Sequence, residues 1–245
     1  GVTIKNVPSR TVQGMKFPGA PHGLKMACGE NPKRVYGSRK SAPSTRMGNV
    51  AGYRAEWLKA VEYRDRWRNY DPKGEKPAPS RDLRMETLVG VLDGEIIVHN
   101  HCYRADEMAT LIEVSKEFGY KIGTFHHAVE SYKIADLLAQ EEICSAMWAD
   151  WWGFKLEAFD GILQNIALVE NAGACAIVHS DSARDIQRLN QEASKARSAG
   201  IRMGIDISKE DAIGWITLNA AKSLGIEKLT GSLEPGKAAD LVIWS

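Results

Sequence analysis

Residues 95–130 read EIIVHNHCYRADEMATLIEVSKEFGYKIGTFHHAVE, and this stretch decides the fold. A short apolar run, Glu95 to His101, gives way to a helical pattern from Ala105 to Phe118 that stops at Gly119. A second apolar run then follows from Lys121 to His126. Short apolar runs bounded by turn residues read as buried strands, and the longer segment between them reads as a crossover helix. The unit repeats outward. Helices are expected over Arg84–Leu92, Ser131–Gln140, Gly161–Ala172, Ile186–Ala199 and Lys209–Leu224, and strands over Ile143–Met147, Ala174–His179 and Leu241–Trp244. Upstream, residues 51–70 carry Ala51, Ala55, Leu58 and Val61 at helical spacing. Pro72, Pro77 and Pro79 mark a loop over 71–82, and residues 38–50 read as a polar loop. Residues 1–37 are rich in Gly and Pro, with one apolar run, Gly23 to Cys28.

Short strands alternating with longer helices make a parallel sheet with βα crossovers. No GxGxxG follows the first strand and no Walker loop is present, so a nucleotide-binding sheet is less favoured than the (β/α) barrel. The chain has 245 residues and is 44% apolar, enough for a sizeable core, and its formal net charge is +1. Lys and Arg are spread along it without a basic stripe, which points to a small-molecule partner rather than nucleic acid. No apolar run approaches the roughly 18 residues of a membrane span, and the N-terminus has no signal-peptide pattern. Cys28, Cys102, Cys144 and Cys175 form no CxxC pair, and three of them sit in apolar strand-like runs where buried free thiols are common, which implies a reducing, cytoplasmic compartment.

Five of the 6 histidines fall at the ends of three strands: His99 and His101, His126 and His127, and His179 followed by Asp181. In a parallel barrel those ends converge on the face where active sites form. Histidines with a carboxylate on such a face suit a divalent metal. A single strand-end histidine is usually only hydrogen-bonded; three such strand ends together favour ligation. Side chains alternate along a strand, so His99 and His101 should share a face while His126 and His127 point to opposite faces.

At these residues the chain resembles the amidohydrolase superfamily, nearest its imidazolonepropionase-related and prolidase-like members. The resemblance rests on HCYRADEM from His101, FHHAVESYKIAD from Phe125, IVHSDSARDIQRLNQEA from Ile177, and WITLNAAKSLGIEKLTGSLEPGKAADLVIWS from Trp215. It implies a partial TIM-like (β/α) metal-dependent hydrolase barrel over residues 1–224. Residues 225–245 would return to a small β domain as its C-terminal strand. It implies His101 and His127 as metal ligands, with His127 preferred to His126 by its spacing to the next helix. Asp181 would be both a metal ligand and the proton acceptor. Lys25 would match a lysine that some members carboxylate to bridge two metals, although it could instead pair with Glu30. The implied cofactor is one or two divalent ions, zinc foremost, and the implied reaction is hydrolysis of an amide, cyclic amide or dipeptide C–N bond by activated water.

Tyr103, Arg104, His179 and Trp152 are candidates for substrate contact. The plainer alternatives are a surface arginine at a helix start, a buried histidine, and tryptophans that pack the rim. The family's early His-x-His motif has no counterpart before Lys25, and His22 is a poor substitute. The chain is therefore expected to be an incomplete polypeptide, with a catalytically incomplete fragment as the alternative to an active hydrolase, and to need a partner such as a second copy, a swap or a rearrangement to cover its strand edges. A metal-independent lyase on another parallel fold is the rival reading, and it requires that His101, His127 and Asp181 do not converge.

Overall fold

A computed structural model describes residues 1–5 and 7–243. Five strands form one sheet: β1 (His22–Ala27), β2 (Ile96–Cys102), β3 (Ile122–His127), β4 (Cys144–Met147) and β5 (Ala176–Val178). They are all parallel and lie in the spatial order β1-β2-β3-β4-β5. A doubly wound sheet reverses its strand order part-way, whereas a barrel adds each strand beside the last. The sequential order here is that of a barrel wall.

The helices are α1 (Val12–Met15), α2 (Glu30–Ser38), α3 (Arg46–Arg68), α4 (Leu83–Leu92), α5 (Ala105–Phe118), α6 (Ala135–Gln140), α7 (Asn165–Asn171), α8 (Leu189–Arg202), α9 (Lys209–Gly214) and α10 (Leu218–Ser223). Their starts follow side-chain chemistry. Thr45 accepts the Gly48 N–H at the start of α3, Asp82 accepts the N–H groups of Arg84 and Met85 at α4, and Ser208 with Asp211 forms a capping box at α9. Gly119 ends α5 at φ 75°, a left-handed stop that costs glycine nothing. The outer face of the sheet and the helices enclose the core, in which Trp57, Met108, Leu111, Phe125, Leu138 and Trp215 are fully buried. Asn219 of the T-x-N-x-A helix donates its amide to the Ala176 carbonyl at 2.9 Å, which fastens α10 to β5.

Several expectations shift. The α2 helix was not legible because it buries no residue, so no apolar face marks it. The α3 helix starts at Arg46, inside the expected polar loop, because Thr45 supplies its cap. Leu241–Ile243 show no strand pairing and are exposed; an apolar run becomes a strand only beside another strand, and Trp244 lies outside the described residues. The cysteines are corrected most clearly. They are disulfide-bonded as Cys28–Cys102 and Cys144–Cys175, and a reducing compartment no longer follows from them. The partners are 74 and 31 residues apart in the chain. Parallel pairing of β1 with β2, and of β4 with β5, makes them neighbours.

Candidate active site

Register places Lys25 beside His99, and His101 beside His126. His99 and His101 share the concave face, as alternation requires. The pair His126–His127 departs from alternation. His127 has φ 73°, Ala128 φ 38° and Asp181 φ 52°, all in the left-handed region that L side chains rarely adopt. The turn at His127 swings its ring into the same cluster as His126 rather than to the opposite face. His126 Nε2 lies 3.0 Å from His99 Nδ1, while the His127 ring centroid is 4.4 Å from that of His101 and 5.2 Å from that of His179. Asp181 Oδ2 stands 3.8 Å from His127 Nδ1. The three strand ends do converge, contrary to what the lyase reading requires.

Aromatic rings frame the cluster. Tyr103 stacks on His127 at 5.1 Å and 19°, and Trp148 stacks on both His127 and His179 at 4.8 and 5.0 Å. The Trp148 indole N–H donates to the Ser180 carbonyl at 3.0 Å, which ties the end of β4 to the segment that carries Asp181. Behind His127, buried Asn165 donates to the carbonyls of Ala128 and Val129 at 3.0 and 3.1 Å and accepts the Tyr132 N–H at 2.9 Å. It holds the left-handed turn, and nothing in the sequence pattern marked it.

Burial sets the electrostatics. It pushes His101 and His179 down to about 4 and His126 to about 3, with His127 lower still and His99 also lowered. The positive charge of Lys25, itself exposed, adds to the effect at all five. The imidazoles are therefore neutral near pH 7, and the His127–Asp181 approach is a neutral ring beside a carboxylate rather than an ion pair. Burial first, and then the charges of Glu157 and Asp181, raise the Tyr103 hydroxyl well above its ordinary range.

His101 Nε2, His127 Nδ1 and His179 Nε2 are buried without hydrogen-bond partners. A buried nitrogen left without a partner is costly, and a neutral imidazole lone pair is a metal donor. The donor chemistry thus fits a divalent cation, although among the described residues no three His, Cys, Asp or Glu side chains are gathered at chelating spacing. Of the other candidates, Arg104 is turned away, its guanidinium forked on Asp106 at 2.9 Å through both Nε and Nη2. Trp152 packs into the cluster formed by Tyr103, Val129, Trp148 and Ala158. Lys25 and Glu30 form no ion pair among the described residues.

The amidohydrolase family model matches residues 75–245, which include every strand end described above except that of β1. The chain belongs to the amidohydrolase family. The amidohydrolase tasK of Hapsidospora irregularis is 32% identical to this family member over 235 residues, which cover 90% of this chain and 23% of that protein. A crystal structure of an amidohydrolase from Thermotoga maritima superposes with a TM-score of 0.85 at 34% identity, covering 98% of this chain and 60% of that one. An imidazolonepropionase of Picrophilus torridus is 58% identical over 38 residues, 16% of this chain. This amidohydrolase chain thus spans 60% of the Thermotoga protein and 23% of tasK.

Proposed function

We propose that this amidohydrolase chain carries part of the active site of a metal-dependent hydrolase that cleaves a carbon–nitrogen bond in an amide, cyclic amide or dipeptide. The observation that carries the reading is the set of buried, unpaired and neutral imidazole nitrogens on His101, His127 and His179, with the Asp181 carboxylate 3.8 Å from His127. His101, His127 and Asp181 are the residues that would hold a divalent cation, zinc foremost, with Lys25 as the candidate for a bridging role. When bound, such an ion polarises a carbonyl and makes water more acidic.

The chain's own residues supply the rest. Asp181 stands at the edge of the cluster, 56% exposed at its side chain, and would take a proton from the attacking water and pass it to the leaving nitrogen. Burial first, and then neighbouring carboxylates, disfavour the Tyr103 phenolate; the hydroxyl can donate a hydrogen bond to a substrate carbonyl. The stacked rings of Tyr103 and Trp148 fix the plane of His127. His179 packs against both Trp148 and His127 and can orient the reacting group.

The test is hydrolysis of a panel of dipeptides, N-acyl amino acids and cyclic imides by protein loaded with zinc, cobalt or manganese, beside D181N. Turnover that depends on added metal and falls about 100-fold or more in D181N supports the reading. Turnover unaffected by chelation, or no loss in D181N, refutes it.

A further inference from the structure

The segment that leaves β4 is fastened to a distant part of the sheet. Gly153 donates to the Ala158 carbonyl at 2.7 Å, closing residues 153–158 into a compact loop. Glu157, 2% exposed, is the fastening. Its Oε2 accepts the Glu30 N–H at 2.7 Å and the Arg46 guanidinium at 3.3 Å, and its Oε1 meets the Lys155 ammonium at 2.7 Å. A Cβ on Gly29, which has φ +80°, would come within 2.2 Å of Glu157 Oε2, so only glycine leaves room for this carboxylate. Glu30 follows β1, and β1 is separated from β4 by β2 and β3. The loop therefore straps across the ends of the two strands that carry His101 and His127. The Lys155 ammonium, 3.8 Å from the centre of the Tyr103 ring, marks the crossing.

The strap holds an aromatic pair in water. Trp151 and Phe154 stack at 4.7 Å and 24° while remaining 49% and 45% exposed. Trp148 meets Trp151 edge-on at 4.7 Å, and its own face lies on His127 and His179. Ring contacts thus run from the solvent-facing pair through buried Trp148 to the imidazole cluster. The one cation on the strap, Lys155, is already engaged by Glu157 and by Asn31 at 3.2 Å, so the surface offers a ligand apolar contact and no free charge. Aromatic rings fixed in place at the rim of a polar centre are how small-molecule sites gain selectivity.

We infer that Trp151 and Phe154, held by the Glu157-latched strap, form a specificity subsite for an aromatic or bulky aliphatic group that flanks the scissile C–N bond. The inference rests on the hydrolase reading for the position of that bond, but the contact itself is readable without turnover. The probes are N-acetyl-L-phenylalaninamide and N-acetylglycinamide, whose binding to the protein is measured by calorimetry or saturation-transfer NMR, with hydrolysis followed in parallel. The phenyl probe is expected to bind at least about 10-fold more tightly, since a buried ring removes a large apolar area from water. W151A/F154A should abolish the preference. E157Q, which keeps both rings but weakens the latch, should reduce it several-fold.

Equal binding of the two probes, or a preference that survives W151A/F154A, overturns the inference. So does sedimentation showing that wild type is a dimer which W151A/F154A splits, because the pair would then be an interface between copies. If neither probe is hydrolysed and the preference in binding persists, the hydrolase reading fails while the subsite stands. Both rings are half exposed, so W151A/F154A should still fold and unfold cooperatively at a somewhat lower melting temperature; if E157Q does not fold, W151A/F154A alone decides.

Discussion

Replacing Asn165 by alanine tests how the left-handed turn at His127 is held. The side chain is 4% exposed and makes three hydrogen bonds, two to the carbonyls of Ala128 and Val129 and one from the Tyr132 N–H. Each neutral bond contributes about 1 kcal/mol net, and a group left buried without a partner costs at least as much. The Ala128 carbonyl keeps a second donor, the Ser131 N–H at 3.0 Å, so N165A should destabilise by about 3 kcal/mol in total. In a domain of this size that corresponds to a melting shift of roughly 6–12 °C. N165D is nearly isosteric but sets a carboxylate against two carbonyls, and should be no better. The assay is urea unfolding, together with NMR of 15N-labelled histidine. The His127 resonances should move in N165A while those of His22, far along the chain, should not. A loss below about 0.5 kcal/mol, within the range of ordinary surface substitutions, would refute the reasoning, as would an unmoved His127.

The buried imidazoles make stability fall in acid. Above pH 6.5 they are neutral both folded and unfolded. Below it the unfolded chain takes up protons that the folded one refuses until about 4 at His101 and His179, so each site removes up to about 1.4 kcal/mol per pH unit across that window. A denaturant midpoint that stays flat between those pH values would contradict this, and H179Q should flatten the slope. In metal titration, H101N and H127N should each weaken binding of zinc or cobalt at least about 10-fold relative to wild type; H22N, outside the cluster, should bind as wild type does, and equal losses in all three would break the assignment. Protein unfolded without reductant should show no free thiol by alkylation and mass spectrometry, and four after reduction, because the four cysteines pair as two disulfides; free thiols before reduction would contradict the pairing.

Much of the fold was readable because burial on both faces of a parallel sheet leaves short apolar runs, and the crossover helices between them have their own period. The runs ending at His101, His127 and His179 therefore disclosed both the strands and the polar residues at their tips. The disulfide pairs were not readable. They depend on which strands are neighbours, and no spacing in the chain encodes that. The same holds for Glu157, a buried carboxylate that looks like any loop acid until α2, α3 and the strap are brought together.

The sequence by itself determined the alternation of strands and helices, the family, and the candidates His101, His127 and Asp181, because local pattern and motif carry that information. Only the tertiary structure decided that His126 and His127 join one cluster, that Arg104 turns away, and that the strap after β4 crosses the ends of β2 and β3. Each of those outcomes follows from a backbone twist or a long-range partner: φ 73° at His127, the Asp106 carboxylate at Arg104, and the Glu30 N–H at Glu157. A linear pattern fixes which groups are available. The direction in which each one points is set by partners that only folding brings within hydrogen-bonding distance.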